Sequence, residues 1–391
     1  MFKRSASIYQ RHFGQPSSPF ILRLQHNMKR ALLFALIAAA FSLNVSSAHA
    51  WPIKPSDVVI NNDIFQEWFG TELSWHYESM PKRSAVPKHR MPYAGYIYPD
   101  NQGGTANVLY KYDRAFNYGR GSASAFERGD IARTRESTGG GLFGARAHTP
   151  DWAGHCNGWT AAAIRHAEPT RTVKRNGVEF TPADIKGLLS ELYVYSDVVM
   201  LGGQNKATIN PGMFHVILTN WISRAKHPFG FDNTAGKEIW NYPVYAYASS
   251  GARRGRNRVE VKTNIGYVYM LDQPYHIAPK NHTKMLQLHY MLELNDDGEI
   301  IGGEYFRSSK RVDIAWVAKQ PTQGGMAGNE NGNPHLNAKT VLSLWRASVP
   351  EEVRSQWYNI DPTDEDKVVE TNHPLENQGV ITIGSRPVAP R

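Results

Sequence analysis

The chain has 391 residues, of which 41% are hydrophobic, enough to bury one large core or two modest ones. This length and composition exclude a peptide hormone, a small disulfide scaffold and a disordered chain. The formal net charge is +9, but six of the 44 basic residues lie within residues 1–50, which contain no acid. The rest of the chain has 38 basic against 35 acidic residues, a balance that predicts no nucleic-acid partner.

Residues 28–50 have the pattern of a secretory signal peptide. Met28 is followed by two basic residues, an apolar run and a series of small residues that ends at Ala50. The apolar run is shorter than the roughly 20 residues that a membrane-spanning helix needs. We therefore expect cleavage after Ala50, a secreted or periplasmic protein, and no stable membrane insertion after cleavage. Residues 1–27 form an N-terminal extension, with Met28 as an alternative start.

Residues 51–150 are predicted to be a loop-rich segment that wraps the core. Residues 81–105 are rich in Pro, Tyr and Gly, which is typical of a long ordered loop. Residues 129–150 are rich in Gly and Arg and predict a flexible surface segment. This composition fits a removable pro-segment that covers a site, and it equally fits a permanent wall of that site.

The next segment contains the one cysteine of the chain, Cys156. Cys156 begins an Ala-rich stretch that ends before Pro169, which predicts a helix with the thiol at its N-terminus. Backbone N–H groups at that position favour a thiolate and can donate to an oxyanion. Gly154 and Gly158 on either side would let a substrate backbone come close. A buried, inert cysteine is the alternative.

The remainder of the chain predicts an α+β domain over residues 151–320. A second helix begins after Thr181, with Pro182 at its first position. Short β-type segments follow at 213–219, 259–261, 265–271, 285–294 and 300–305. Helices followed by antiparallel strands imply the α+β class. Residues 321–391 predict a Gly/Asn-rich linker, a helix near 337–347 and a loose tail.

Two residues of this domain could complete a nucleophilic site around Cys156. His215 lies in the predicted strand 213–219, and Asp232 follows on what would be the neighbouring strand. A thiol nucleophile needs a base, and the base needs an orienting acceptor, so this order predicts a Cys–His–Asp triad. A satisfied core histidine and a capping aspartate are the alternatives for these two residues.

The sequence around these residues resembles the secreted transglutaminase elicitor family known from oomycetes. The resemblance runs over about residues 150–320 and is carried by blocks at residues 152–164, 167–169, 176–180, 184–188, 210–216, 232–244 and 292–305. Two features depart from the family. Its oomycete members contain further cysteines, and the residue before Cys156 is His155 where the family has an apolar residue.

The resemblance implies an α+β fold with a transglutaminase/papain-like core, in which a nucleophilic Cys at a helix N-terminus packs on an antiparallel β-sheet. It implies that Cys156 is the nucleophile, His215 the base and Asp232 the orienting residue. Trp152 and Asn157 are candidates for an oxyanion donor or a wall of the substrate site.

The activity that the resemblance implies is that of a protein-glutamine γ-glutamyltransferase. The Cys156 thiolate would attack a glutamine side chain, ammonia would leave, and a lysine or polyamine would take the acyl group. The expected partners are therefore a glutamine-containing protein or peptide and an amine donor. No cofactor is required for this chemistry, and the sequence neither predicts nor excludes a calcium site.

Two other functions fit the same residues. With water as the acceptor, the triad would belong to a cysteine peptidase or amidase, because the acceptor depends on how well the site excludes water. A non-catalytic secreted effector, recognised by a partner through its surface, is the other alternative. A Cys156→Ala variant separates the enzymes from the effector, because binding would survive the substitution and catalysis would not.

Overall fold

The structure is a computed structural model that describes residues 51–138, 153–203, 208–233, 238–277 and 282–357. The predicted signal peptide, Trp152 and the C-terminal tail lie outside these residues. Within the described ranges, no helix combines the length and the apolar character that crossing a membrane requires.

The described residues form helices on both sides of a large sheet. The α-helices are α1 (Pro55–Phe69), α2 (Ala106–Phe116), α3 (Ser122–Thr138), α4 (Cys156–Arg165), α5 (Pro182–Tyr193), α6 (Pro211–Ile217), α7 (Ala338–Ser348) and α8 (Glu351–Arg354). Helix α6 runs directly into a π-helical segment, Leu218–Arg224. The strands are β1 (Trp51–Pro52), β2 (Arg83–Ala85), β3 (Val173–Arg175), β4 (Val178–Phe180), β5 (Val198–Gly202), β6 (Phe229–Asp232), β7 (Asn241–Arg253), β8 (Arg258–Val268), β9 (Thr283–Leu294), β10 (Ile300–Tyr305) and β11 (Ile314–Ala318).

Nine of these strands form one antiparallel sheet. Its order is β1-β10-β9-β8-β7-β6-β11-β5, with β2 paired to β7. Strands β3 and β4 form a separate hairpin. The predicted mixture of helices and an antiparallel sheet is confirmed, and the strands predicted near residues 259–305 correspond to β8, β9 and β10.

The predicted start of α5 is also confirmed. The Thr181 side chain accepts from the Asp184 backbone N–H at 3.3 Å, and the Asp184 carboxylate accepts from the Thr181 N–H at 2.8 Å. This reciprocal capping satisfies two N–H groups that a helix start leaves without partners, and Pro182 fits the first position because its missing N–H costs nothing there.

The predicted strand at residues 213–219 is wrong, because these residues continue from helix α6 into the π-helical segment. The Asn210 side chain caps α6 by accepting from the N–H groups of Gly212 and Met213, at 2.8 and 3.4 Å. Pro211 occupies the first helical position. All seven residues of α6 are buried, so the helix has no polar face to mark its period and its apolar run imitates a strand.

Residues 51–138 differ from the expected loop-rich segment. They contain helices α1 to α3, and strands β1 and β2 belong to the main sheet. The side chain of Phe65 packs edge-on against Trp221, with 5.6 Å between ring centroids. The described part of this segment therefore contributes to the same core as the rest of the chain.

Helix α4 lies between α5 and the sheet strands β6, β7 and β11. A Cβ on Gly158 would stand 2.1 Å from the Ser190 carbonyl oxygen in α5, and one on Gly154 would stand 2.8 Å from the Ile97 carbonyl oxygen. These two glycines therefore permit close packing inside the protein. The expectation that they admit a substrate backbone is wrong.

Candidate active site

Cys156 is the first residue of α4, and its thiol is 5% exposed. Its Sγ lies 3.7 Å from the Ile239 carbonyl oxygen and 3.7 Å from the side-chain nitrogen of Asn241. Neither of these contacts is with an imidazole. The thiol therefore faces the start of β7, where the Ile239 carbonyl and the Asn241 side-chain amide lie beside it.

Burial raises the pKa of the Cys156 thiol, because a charged sulfur loses its hydration inside the protein. Three N–H donors oppose this effect: the backbone and side-chain amides of Asn241 and the backbone amide of Asn157. The charge of Asp232 raises the pKa of the thiol further. The resting state is thus a neutral thiol, with donors already in place for negative charge that develops on or beside the sulfur.

Asn241 is fixed in place from two directions. Its side-chain oxygen accepts from the indole N–H of Trp316 at 2.8 Å, and its backbone carbonyl accepts from the Thr160 hydroxyl at 3.0 Å. All three residues are buried. Because the oxygen of the amide is occupied, its NH2 group is oriented toward Sγ.

Asp232 reaches the site through the pairing of β6 with β7. Asp232 and Asn241 lie directly opposite each other in this ladder, so their side chains share one face of the sheet. Asp232 is fully buried, and its backbone carbonyl accepts from the Asp313 N–H at 3.0 Å. The structure therefore brings together two of the predicted residues, Cys156 and Asp232.

The structure does not bring His215 to this site. The His215 Nδ1 is hydrogen-bonded to the Tyr290 hydroxyl at 2.7 Å, and that hydroxyl is hydrogen-bonded to Thr263 at 2.9 Å. Burial lowers the pKa of His215 to about 4, so its ring is neutral at pH 7. The predicted hydrogen bond from this imidazole to Asp232 is replaced by the bond to Tyr290.

The register of the sheet explains this separation. Thr263 is paired with Ser249, which lies eight residues along β7 from Asn241. At about 3.3 Å per residue, this distance along an extended strand is roughly 25 Å. His215 and Cys156 therefore lie beside well-separated parts of β7, and the expectation that they meet followed from assigning α6 to a strand.

His155, which directly precedes Cys156, points into a buried acidic cluster. Its Nε2 lies 3.1 Å from Glu191 and 3.5 Å from Glu127, and its Nδ1 lies 3.3 Å from the Tyr98 carbonyl oxygen. Glu191 also accepts from Asn333 at 3.0 Å. We call His155, Glu127, Glu191 and Asp100 the His155 cluster. It is built from α3, α4, α5 and the loops beside them.

The charges of the His155 cluster depend on one another. Burial would lower the pKa of His155, but the carboxylates of Glu127, Glu191 and Asp100 outweigh it and raise that pKa to about 10. Burial and the charge of Glu191 raise the pKa of Glu127 to about 8. Burial opposes the ionisation of Glu191, but its bond to His155 prevails and lowers its pKa. The cluster at pH 7 is thus an imidazolium, an ionised Glu191 and a protonated Glu127, beside Asp100.

Three members of this cluster could also hold a metal ion. Asp100, Glu127 and His155 offer ligand atoms that all lie within 4.8 Å of one another. However, Nε2 of His155 is directed at the two glutamates as a donor, so the protonated ring already supplies the positive charge that a cation would bring. We therefore assign no metal ion to the His155 cluster.

The other predicted wall residues have different outcomes. The Asn157 side chain donates to the Val194 carbonyl at 2.7 Å and so points into the α4–α5 interface. Only its backbone N–H faces the sulfur, where it lowers the pKa of the thiol. Trp152 lies outside the described residues. The sequence analysis did not single out Asn241, which contacts the sulfur, or Trp316, which holds Asn241 in place. Asn241 lies within the sequence block 232–244, so that block could have indicated it.

The one dense run of arginines lies at the turn between β7 and β8, and its guanidinium groups face carboxylates. The pairs are Arg253 with Glu78, Arg254 with Glu260, Arg256 with Asp296 and Arg258 with Glu293. Because a carboxylate lies beside each arginine, the run does not present an uncompensated basic surface.

Comparison with known proteins supports the relationship suggested by the sequence. A family model described as transglutaminase elicitor matches residues 144–206 and 200–263. The crystal structure of the GP42 transglutaminase from Phytophthora sojae has a similar fold, with a TM-score of 0.61 and 22% sequence identity. The match covers 76% of this chain and 99% of the GP42 chain. No curated protein matches this sequence. The resemblance is thereby confirmed, because both the family model and the fold of this chain are similar to those of the transglutaminase elicitors.

Proposed function

We propose that this protein is a thiol acyltransferase that transfers the side-chain acyl group of a glutamine to a primary amine. The observation that carries this proposal is the position of the Cys156 sulfur, at a helix start and among N–H donors from Asn157 and Asn241. Such donors stabilise the negative charge that develops during acyl transfer. The likeness to the transglutaminase elicitors favours glutamine as the acyl source.

In the first half-reaction, the Cys156 sulfur forms a bond to the carbonyl carbon of the glutamine side chain. The carbonyl oxygen becomes an oxyanion, and the amides beside the sulfur are available to stabilise it. The C–N bond then breaks, and the nitrogen leaves as ammonia after it takes up the proton that the thiol has lost. The product is a thioester between glutamine and Cys156.

In the second half-reaction, a primary amine attacks the thioester carbonyl. A C–N bond forms, the C–S bond breaks, and the proton lost by the amine returns to the sulfur. The products are an amide or isopeptide bond and a free thiol. Both half-reactions therefore need a group that moves one proton between sulfur and nitrogen.

We assign this proton transfer to Asp232. The charge of Asp232 raises the pKa of the thiol, and Asp232 lies opposite Asn241, whose side chain contacts the sulfur. A carboxylate beside a neutral thiol can accept its proton as the sulfur attacks and then donate it to the leaving nitrogen. The sequence hypothesis gives this role to His215, whose ring is bonded to Tyr290 instead.

The burial of the thiol favours an amine over water as the acceptor. Cys156 is 5% exposed, and hydrolysis of a thioester requires that water reach its carbonyl carbon. The signal peptide predicted at residues 28–50 supports action outside the cytoplasm, where protein-bound glutamine and lysine would be the substrates.

The direct test is incorporation of a biotin-tagged primary amine into a glutamine-rich protein by the purified chain. We expect labelling and ammonia release by the wild type and neither by Cys156→Ala. Loss of the carboxylate in Asp232→Asn should reduce kcat by about 100-fold or more, consistent with the contribution of general acid–base catalysis. His215→Gln should keep kcat within about threefold if Asp232 moves the proton.

The other outcomes assign the other functions. Peptide cleavage or ammonia release without amine labelling, lost in Cys156→Ala, would identify a hydrolase. Loss of labelling in His215→Gln, with native stability, would return the base role to that residue. A folded wild type that is silent with amine and with water would contradict the enzyme and favour the effector. Asn241→Ala, which removes a donor from the sulfur, should slow alkylation of the thiol and reduce kcat by about tenfold to 100-fold.

A further inference from the structure

A group of tyrosines lies beside the start of β7. Tyr242 immediately follows Asn241, and its ring stacks on that of Tyr269 with 5.2 Å between centroids and an interplanar angle of 18°. The ring of Tyr267 packs against Tyr242 at 5.3 Å. We call Tyr242 and Tyr269 the tyrosine shelf. Tyr269 is half-buried, so the shelf reaches the surface at this ring.

The tyrosine shelf is connected to the nucleophile. The Trp159 ring of α4 contacts Tyr242 edge-on, with centroids 6.3 Å apart. Burial raises the pKa of Tyr242 above its ordinary value, and the charge of Cys156 raises it further. The shelf thus begins near the sulfur, and Tyr242 remains uncharged at pH 7.

A primary ammonium group already lies on the shelf. The Lys284 Nζ is 3.3 Å from the centroid of the Tyr269 ring, while the side chain of Lys284 is otherwise exposed. Lys284 is paired with Tyr267 across β8 and β9, so its stem can cross to the neighbouring ring. The contact shows that this aromatic face accepts an alkylammonium group of the size carried by lysine and aliphatic diamines.

We propose that the tyrosine shelf binds the alkylammonium group of the acyl acceptor, and that Lys284 occupies this position in the free protein. This inference rests on the proposed function, because the acceptor is the second substrate of that reaction. An incoming lysine or diamine would displace the Lys284 ammonium and lay its aliphatic stem along the rings. The amine that attacks must be neutral, so a diamine fits best, with one ammonium on the shelf and the other nitrogen deprotonated near the thioester.

Kinetics with 1,5-diaminopentane as acceptor test the proposal. We expect Tyr269→Leu to raise the KM for the amine by about twofold to fivefold, the range of an exposed cation–π contact. Tyr269→Phe should retain the wild-type KM, because it keeps the ring. Lys284→Met should lower the KM by about threefold, because it removes the internal competitor. The KM for the glutamine substrate should not change in any of these variants.

Matched substitutions provide the controls. Tyr118→Leu removes an exposed tyrosine and Lys262→Met removes an exposed lysine of the same sheet, and neither should alter the KM for the amine. An unchanged KM in both Tyr269→Leu and Lys284→Met would overturn the proposal. If Tyr269→Leu fails to fold, the KM of Lys284→Met tests the proposal alone. A lower KM for the amine would support the shelf and an unchanged KM would overturn it, and Lys284 is exposed, so its substitution should not disturb folding.

A binding measurement separates this proposal from the proposed function. In Cys156→Ala, which cannot form a thioester, titration with 1,5-diaminopentane should shift the NMR signals of Tyr269 and Lys284 but not those of Tyr118. Such shifts in Cys156→Ala, together with a folded wild type that shows no transferase activity, would contradict the proposed function and support the shelf. Transferase activity in the wild type, with no shift of the Tyr269 and Lys284 signals, would support the proposed function and contradict the shelf.

Discussion

Two buried histidines of this protein differ in charge at pH 7, one being positive and the other neutral. His155 is held by the carboxylates of the His155 cluster, and its pKa is raised to about 10. His215 is held by the Tyr290 hydroxyl, and burial lowers its pKa to about 4. Both rings are at most 3% exposed, so burial alone does not set the charge of an imidazole. The hydrogen-bond partner sets the charge of the imidazole, because only an ionised partner offsets the hydration that a charged ring loses on burial.

This difference has consequences for Cys156. His155 is covalently attached to Cys156, and its bonds connect the start of α4 to α3 and α5. A charged histidine in that position anchors the thiol but cannot accept a proton from it near pH 7. The neutral His215 could accept a proton, but it lies farther along β7, beside the Ser249–Thr263 pair.

The largest expected effect comes from removing the charged ring. His155→Leu leaves the ionised Glu191 buried without its cation, which should lower the free energy of unfolding by about 3–5 kcal/mol. His215→Leu removes a neutral hydrogen bond and should cost about 1–2 kcal/mol. Urea denaturation of both variants at pH 7 measures the difference. Equal losses would mean that His155 is not charged in the folded protein.

The pH dependence of stability should have opposite signs for the two rings. The pKa of His215 is about 4 in the folded protein and 6.5 in the unfolded chain, so the unfolded chain binds more protons between these values. The contribution of neutral His215 to the free energy of unfolding is present above pH 6.5. It is lost as the pH falls toward 4, by up to about 3 kcal/mol. His155, with its raised pKa, contributes fully below pH 6.5 and loses its contribution as the pH rises toward 10.

Denaturation curves between pH 4.5 and 9.5 test these signs. The stability difference between the wild type and His215→Gln should shrink below pH 6.5, while the difference between the wild type and His155→Gln should shrink above it. Glu127, whose pKa is raised from 4.5 to about 8, contributes stability below pH 4.5 and loses that contribution as the pH rises toward 8. Two curves of the same sign would refute the assigned charges.

A smaller effect distinguishes the two glutamates around His155. Glu191→Gln removes the ionised partner of the ring and should cost about 2 kcal/mol at pH 7. Glu127→Gln replaces a carboxylic acid that is already neutral with a group of the same shape, and should cost less than about 1 kcal/mol. Chemical denaturation at pH 7 gives both values, and a larger loss for Glu127→Gln would reverse the assignment.

The smallest effect concerns the hydroxyl beside His215. Tyr290→Phe removes the partner of Nδ1 while keeping the ring, and should cost about 1 kcal/mol. Since the remaining ring is still buried, the pKa of His215 should stay below its ordinary value. An NMR titration of the imidazole measures it, and a return to about 6.5 would mean that burial is not the cause.

Local signals in the sequence predicted much of the fold. The Ala-rich stretch and Pro169 predicted a helix that begins at Cys156, and the cap at Thr181 predicted α5. The alternating segments after residue 258 predicted β8 to β10. These features depend on neighbours within a few residues, so they are visible without the tertiary structure.

Long-range contacts were not predictable in the same way. Helix α6 is buried all round, so its residues gave no helical period, and His215 was assigned to the wrong element. The contact of Asn241 with Cys156 joins residues 85 positions apart in the chain. Nothing near His155 indicates that two glutamates from α3 and α5 surround it.

The sequence by itself determined that one thiol begins a helix in an α+β protein that resembles the transglutaminase elicitors. Only the tertiary structure decided what faces that thiol and which histidine is charged. Helix starts and β-strands are set by local backbone preferences and side-chain period. The protonation state of a buried group is set by whichever charges and dipoles the fold brings within a few ångströms.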